Sequence, residues 1–153
     1  MNLITGAGRG LGLAMHRHLG GIPFTRGTPI EAIRRNAPYD LIVHCAVNTA
    51  KAVPVDDALG YVQDNVSLTG EMISIPHRRF VYISSVDVYR RTDQLGLYAS
   101  CKLISETMVM NAAHRPLIIR PTTLLGNSMR PNTIYRMLTE PAPKLYLAES
   151  SSA

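Results

Sequence analysis

The sequence predicts an α/β fold built on a doubly wound parallel sheet. Short apolar runs alternate with helical stretches along the chain, and a glycine-rich turn joins the first run to the first helical stretch. Of the 153 residues, 46% are apolar, which is enough for the core of one compact domain. Strands that alternate with helices form βαβ units, whose right-handed crossovers produce a parallel sheet. We expect one domain at residues 1–147 and a tail at 148–153.

Five apolar runs of strand length predict the strands. They are Asn2–Thr5, Ile22–Arg26, Leu41–Cys45, Arg79–Ser84 and Leu117–Arg120. We expect these five runs to form the main parallel strands in the order second-first-third-fourth-fifth, with a ligand crevice at the switch point by the glycine-rich turn. A sixth short strand at Lys144–Leu147 is considered as an addition.

Five helices are predicted between and after these strands. They are Leu11–Leu19, Pro29–Asn36, Asp56–Ile73, Tyr98–Ala113 and Thr133–Leu138. The pair Gly20-Gly21 is expected to end the first helix. Thr28 is expected to cap the second helix, because the following Pro29 suits a first helical position.

Composition excludes several classes of protein. The net charge is +5, but the arginines are spread along the chain without a basic run, so we expect no nucleic-acid partner. No apolar run approaches the ~18 residues of a membrane span, and we expect no membrane partner. Cys45 and Cys101 suggest no disulfide framework, which favours a cytoplasmic location. The five histidines show no metal-ligand spacing and are interpreted as surface or capping residues, so no metal is expected.

The glycine-rich turn, residues 5–12, reads Thr-Gly-Ala-Gly-Arg-Gly-Leu-Gly. Glycines allow a tight turn and let backbone N–H groups approach a pyrophosphate at the positive end of a helix. The turn lacks a Gly-Lys-Ser/Thr ending, which excludes a P-loop. The predicted dinucleotide contacts in this turn are Gly6, Gly8, Arg9, Gly10, Leu11 and Gly12.

Tyr98 and Lys102 are four residues apart, which places them on one face of a helix. A nearby ammonium lowers the pKa of a phenol, ordinarily near 10, so that the phenol can exchange a proton with a carbinol oxygen as hydride moves. Ser85, after the fourth predicted strand, is placed to hold the same oxygen. The competing interpretation is an exposed helix pair beside a strand-capping serine.

The ordered set of motifs resembles the extended branch of the short-chain dehydrogenase/reductase superfamily, the NAD-dependent epimerase/dehydratase family. The matching stretches are Thr5–Gly12, Tyr39–Ala46, Asn65-Val66, Val81–Tyr89, Tyr98–Lys102 and Ile118–Pro121. The early chain and residues 46–56 are also similar to dTDP-4-dehydrorhamnose reductases. The resemblance implies a Rossmann-like fold and a Ser85–Tyr98–Lys102 catalytic triad, in which Lys102 also holds the nicotinamide ribose. Further cofactor-lining positions implied are Ala46, Asn65, Ser84 and Pro121.

Three features depart from the extended family. The glycines follow the classical branch's Thr-Gly-x-x-x-Gly-x-Gly spacing, and only thirteen residues separate Ser85 from Tyr98. The chain also stops where family members continue into a last core strand and a substrate lobe. We therefore expect that lobe to be largely absent.

The leading hypothesis is an NAD(P)-dependent oxidoreductase, epimerase or dehydratase that acts on a nucleotide sugar or a similar carbonyl or alcohol. The alternative is a non-catalytic dinucleotide-binding module that senses or scaffolds, which the missing lobe favours. A homodimer is considered for either.

The second strand favours NADP over NAD as the cofactor. No acidic residue occurs from Ile22 to Ile30 to accept hydrogen bonds from a ribose 2′-hydroxyl. Arg26 provides a planar, permanently charged donor suited to a 2′-phosphate, and Arg9 is placed to join it. The alternative is that both are ordinary surface arginines.

Overall fold

Five strands of the computed structural model, which describes residues 1–50, 53–126, 137 and 139, form one parallel sheet. The strands are β1 (Asn2–Thr5), β2 (Ile22–Phe24), β3 (Leu41–His44), β4 (Phe80–Ile83) and β5 (Pro116–Ile119). Their order is β2-β1-β3-β4-β5, with every neighbouring pair parallel. The predicted fold class and strand order are confirmed, and no predicted strand boundary is wrong by more than two residues.

Five α-helices connect and flank the strands. They are α1 (Gly10–Leu19), α2 (Ile30–Arg34), α3 (Ala58–Val62), α4 (Leu68–Ser74) and α5 (Leu97–Ala112). A wider π-helical turn, Gln63–Ser67, joins α3 to α4, so the single helix predicted there is one helical stretch of changing geometry. Short 3₁₀ turns occupy Val55–Asp57, Val86–Tyr89 and Thr92–Gln94.

The turn after β2 corrects two predictions. The Thr28 hydroxyl accepts a hydrogen bond from the Thr25 N–H (3.1 Å), and the Thr28 N–H donates to the Thr25 carbonyl (2.9 Å). This closed turn ends β2 at Phe24 rather than at Arg26. Because the turn engages the Thr28 hydroxyl, Thr28 does not cap α2 as predicted. Pro29 is the N-cap residue, and α2 begins without a side-chain cap. At the end of α1, by contrast, Gly20 is the C-cap as predicted, with φ +65°.

Side chains on both faces of the sheet are buried, as alternation along parallel strands requires. One face carries Leu3, Ile42 and Phe80, which pack against α2, α4 and α5 through residues such as Met72 and Val109. The other face carries Ile4, Ala7 and Val43, with Met15 of α1 packed against them. The carboxyl ends of all five strands therefore meet at one edge of a helix-covered sheet.

Strand β2 is an edge strand of the sheet, and its proline makes the free edge unsuited to a further strand. The Phe24 carbonyl accepts a hydrogen bond from the Ala7 N–H (3.3 Å), so Phe24 faces the glycine loop and β1. Backbone polar groups alternate along a strand, which turns the nitrogen of Pro23 toward the free edge. Since that nitrogen carries no hydrogen, this edge lacks the donor that a further strand would need.

The chain divides into two compact units, Met1–Thr122 and Thr123–Ala153. The first unit contains all five strands and α1–α5. Of the predicted helix Thr133–Leu138 only Met137, which is helical, is described; the considered strand Lys144–Leu147 and the domain end at 147 lie outside the described residues. No helix in the described part of the chain is long and apolar enough to cross a membrane.

Candidate active site

The glycine loop packs into the switch point between β1 and β3. Gly6 has φ +67°, and a Cβ there would lie 2.9 Å from the Ala46 nitrogen that follows β3. A Cβ on Gly12 would lie 2.2 Å from the Gly6 carbonyl oxygen. These two positions require glycine because the loop touches β3 on one side and α1 on the other.

Helix α1 begins without a cap. Arg9, at the N-cap position, has extended backbone and no capping side-chain hydrogen bond, and the first turn contains no acidic residue. The first N–H groups of a helix have no intrahelical acceptor and lie at the positive end of the helix dipole. Gly8, Arg9 and Gly10 are exposed, and a Cβ on Gly10 would meet no atom within 4 Å. This open end suits a bound diphosphate.

The turn that carries Arg26 lies beside the glycine loop. β2 pairs directly with β1, and a Cβ on Gly8 would lie 3.8 Å from the Thr25 methyl group. Arg26 and Arg9 are both exposed, and neither forms an ion pair with a residue in the described ranges. The glycine loop and the adjoining turn after β2 therefore each carry one exposed arginine.

Lys102 is buried on α5, with 4% of its surface exposed. Its ammonium donates a hydrogen bond to the Ile83 carbonyl at the end of β4 (2.7 Å) and lies 4.7 Å from the centre of the Tyr82 ring. Burial lowers the pKa of Lys102 to about 8, against the opposing charge of Glu106. Tyr98 is half-buried one turn earlier on α5. Burial raises the pKa of Tyr82, and the nearby Tyr98 raises it further.

Ser85 follows β4 directly and opens the Val86–Tyr89 turn. Its hydroxyl accepts a hydrogen bond from the Asp87 N–H (3.2 Å) and donates to an Asp87 carboxylate oxygen (3.2 Å). That carboxylate pairs with Arg90 (2.9 Å). The local turn therefore orients the Ser85 side chain, and one of its lone pairs is left for a further donor.

Four further predicted cofactor residues lie at the same sheet edge. Asn65 is buried in the π-helical turn, where its amide nitrogen donates to the Tyr61 carbonyl (2.9 Å). The Ala46 N–H donates to the Thr5 hydroxyl (2.9 Å). The Ser84 hydroxyl is buried beside Glu106 and has no hydrogen bond of normal geometry within the described part of the chain. The Pro121 carbonyl accepts from the Val86 N–H (3.3 Å).

The sequence model of the NAD dependent epimerase/dehydratase family matches residues 14–146. The chain belongs to this family. The predicted resemblance is thereby confirmed over most of the chain. None of the curated proteins compared with the chain matches it.

Solved structures of epimerases and reductases share the fold of this family member. A UDP-glucuronic acid 4-epimerase from Bacillus cereus in complex with NAD is 18% identical, with a TM-score of 0.63 over 90% of this chain and 60% of that one. A dTDP-4-dehydrorhamnose reductase from Bacillus anthracis in complex with NADP is 20% identical, with a TM-score of 0.67 over 83% of this chain and 56% of that one. The chain thus spans about three-fifths of the length of these two proteins.

An ion pair that the sequence analysis missed lies next to Lys102 in this epimerase/dehydratase family member. Glu106, one turn beyond Lys102 and 4% exposed, binds the Arg120 guanidinium through both carboxylate oxygens (2.9 and 2.6 Å). Arg120 also donates to the Tyr89 hydroxyl (2.6 Å). Burial would raise the pKa of Glu106, but the bonds and charge of Arg120 outweigh it and hold that pKa below its ordinary value. The four-residue spacing from Lys102 was the available signal.

The sequence interpretation of His44 is wrong. It was grouped with surface or capping histidines, whereas it is 1% exposed at the end of β3. Its ring is stacked on Tyr82 at 5.7 Å between centroids. The signal was its position at the end of an otherwise apolar strand, where a polar side chain has to find internal partners.

Proposed function

We propose that this family member is an NAD(P)-dependent oxidoreductase, epimerase or dehydratase acting on a nucleotide sugar through Tyr98, Lys102 and Ser85. One observation carries the proposal. A buried lysine one turn from Tyr98 lies at the same sheet edge as an uncapped, glycine-bordered helix end. Neither feature stabilises the fold by itself, since a buried ammonium without an ion-pair partner in the described ranges and an uncapped helix both cost stability.

The residues present fit a dinucleotide. The open N-terminus of α1 suits the diphosphate, and Lys102 has ammonium hydrogens beyond the one given to Ile83 to offer a ribose hydroxyl. When bound, a nicotinamide supplies the hydride acceptor or donor. Asn65 and Ala46 are the residues proposed to border the dinucleotide from the helical and strand sides.

In the proposed reaction Tyr98 exchanges a proton with the substrate oxygen. The Lys102 ammonium favours the phenolate, which makes the phenol a usable acid–base group near neutral pH. With a pKa of about 8, Lys102 retains its charge at pH 7 and loses it under mildly alkaline conditions. Ser85 has a lone pair free to hold the hydroxyl form of the substrate in place.

Turnover of UDP-glucuronic acid and dTDP-sugars with NAD or NADP tests the reaction. Tyr98→Phe is expected to lower kcat by ~10² or more, because the acid–base group is lost while the ring is kept. Thr107→Val, which removes an exposed hydroxyl from the same helix, is the control and should retain turnover. Unchanged turnover in Tyr98→Phe contradicts the assignment.

NADP is the proposed cofactor, supported by the position of Arg26 on the turn adjoining the glycine loop. Arg26→Ala is expected to weaken NADP binding and to leave NAD binding nearly unchanged, because only NADP carries the 2′-phosphate. Arg35→Ala, another exposed arginine at the end of α2, is the control. An equal loss of affinity for NADP and NAD in Arg26→Ala argues against a contact between Arg26 and the 2′-phosphate.

The alternative is a non-catalytic dinucleotide-binding module, since the uncapped end of α1 suits a bound diphosphate whether or not Tyr98 is catalytic. Calorimetry separates the two functions. Micromolar binding of NADP or NAD without turnover of any UDP- or dTDP-sugar would favour the module.

We also propose residues 1–147 as the dinucleotide-binding domain and a homodimer as its assembly. Helix α5 exposes Leu103, Ile104 and Met110, at 41%, 51% and 58%, and these apolar side chains suit a second copy of the chain. Sedimentation of wild type and Ile104→Lys tests the assembly: a dimer should become monomeric. Removal of residues 148–153 should leave nucleotide affinity unchanged.

A further inference from the structure

A continuous set of hydrogen bonds passes through the buried His44 side chain. Its Nδ1 lies 2.7 Å from the Thr5 hydroxyl, and its Nε2 lies 3.1 Å from the Thr69 hydroxyl. Thr5 ends β1, His44 ends β3, and Thr69 belongs to α4. All three side chains are fully or almost fully buried.

The other bonds of the two threonines determine which ring nitrogen carries the proton. The Thr69 hydroxyl donates its one hydrogen to the Asn65 carbonyl (2.7 Å), so it accepts from His44, whose Nε2 is therefore protonated. The Thr5 hydroxyl accepts from the Ala46 N–H (2.9 Å) and donates to Nδ1. Every donor has one acceptor only if His44 is neutral with its hydrogen on Nε2.

The surroundings of His44 disfavour its protonation. Tyr82 of β4 covers one face of the ring, and the Lys102 ammonium of α5 lies 4.7 Å from the Tyr82 ring centre. The hydroxyls of Thr5 and Thr69 face its edges, and no carboxylate bonds to it among the described residues. Burial, and then the charge of Lys102, lower the pKa of His44 to about 3.

The two ends of these bonds lie on different elements of the fold. At one end is Ala46, whose nitrogen is the atom that a Cβ on Gly6 would strike. At the other end is the Asn65 carbonyl, which also accepts from the Ser105 hydroxyl (3.3 Å) on α5, three residues beyond Lys102. The glycine loop and the helix that carries Lys102 are thus connected through the His44 ring.

We propose that His44 is a positioning residue for the dinucleotide site. Its neutral, Nε2-protonated ring holds the Ala46 backbone against the glycine loop in fixed relation to α5. The positioning role rests on the proposed function, because it requires that the glycine loop and α5 bind the same cofactor. The effect of the ring is carried by Thr5 at one nitrogen and by Thr69 with Asn65 at the other.

Nitrogen-15 NMR of the histidine side chains in the intact chain tests the ring state without any ligand. His44 should show a pyridine-type Nδ1 and a pyrrole-type Nε2 that stay constant from pH 5 to 8. An Nδ1-protonated or titrating His44 overturns the proposal.

Thr69→Val and Thr69→Ser separate hydrogen bonding from packing. Valine keeps the shape and loses the hydroxyl, so the His44 tautomer should become mixed and the Kd for NADP should rise about tenfold. Serine keeps the hydroxyl and should restore both within about twofold. If Thr69→Val does not fold, Thr5→Val and Thr5→Ser provide the same comparison at the other nitrogen.

Two outcomes are distinguishable. Wild-type protein that binds neither NADP nor NAD contradicts the proposed function, whereas the tautomer measurement still decides the state of His44. Wild-type binding with equal affinity in the valine and serine variants overturns the positioning role while leaving the proposed function standing.

Discussion

The glycine loop and the middle of α5 differ in how they are built. The loop uses backbone: positive φ at Gly6 and Gly10, close contacts at Gly12, and exposed N–H groups. The middle of α5 uses buried side chains, Lys102 and Glu106, whose charges depend on their neighbours. A backbone site tolerates little change in shape, whereas a side-chain site tolerates little change in charge. Each of the following changes tests one half of that contrast.

Gly12→Ala should have the largest effect on stability. A Cβ there would lie 2.2 Å from a carbonyl oxygen of the loop, and backbone atoms cannot move aside as a side chain can. We expect a loss of about 3 kcal/mol or more in the free energy of unfolding, measured in urea. Gly60→Ala, in α3 with open space around it, is the control and should stabilise the protein slightly. Equal changes in the free energy of unfolding for Gly12→Ala and Gly60→Ala would contradict the role given to backbone contacts in the glycine loop.

The pH dependence of stability tests the charge half. The folded pKa of Lys102, about 8, lies below the ordinary value of 10.5, so the unfolded chain binds more protons between these values. Stability that Lys102 contributes therefore rises with pH across this window. Relative to Lys102→Met, wild type should gain roughly 3 kcal/mol between pH 7.5 and 10.5 in urea unfolding. A constant difference between the two proteins would contradict a buried, charged lysine.

Glu106→Gln should lower the free energy of unfolding by about 2 kcal/mol at pH 7, because a buried carboxylate loses its charge beside Arg120. The pKa of Glu106 is held down in the fold, so this stability exists above its unfolded pKa and is lost as the pH falls through the folded one. The wild-type advantage should therefore shrink at acid pH. Asp93→Asn breaks an exposed pair with Arg91 and should show no measurable change at any pH.

Gly10→Ala should have the smallest effect on stability and separates binding from folding. Its φ of +56° makes alanine cost about 1 kcal/mol, since nothing lies near the added methyl group. The loss in the free energy of NADP binding should exceed the loss in the free energy of unfolding. The added methyl group would enter the open space in which the diphosphate is proposed to bind. An affinity for NADP equal to wild type would place the diphosphate elsewhere.

The strand order and the glycine turn were predictable because both depend on local pattern. Alternating apolar runs and helical stretches indicate a parallel sheet with right-handed crossovers. A doubly wound sheet of five such strands has the observed order β2-β1-β3-β4-β5. The end of β2 was not predictable, because the Thr25–Thr28 hydrogen bonds compete with the strand. The π-helical turn around Asn65 was equally hidden, since no local residue pattern marked it.

Sequence alone determined the family and the fold, because spacing along a strand or helix places side chains at known positions. Only the tertiary structure decided their chemical state. Burial lowers the pKa of Lys102, and folding brings Glu106 to Arg120. His44 lies between two threonines from different elements, which favour its neutral form. Charge and protonation depend on desolvation and on partners far apart in the chain, and no spacing along the sequence encodes those distances.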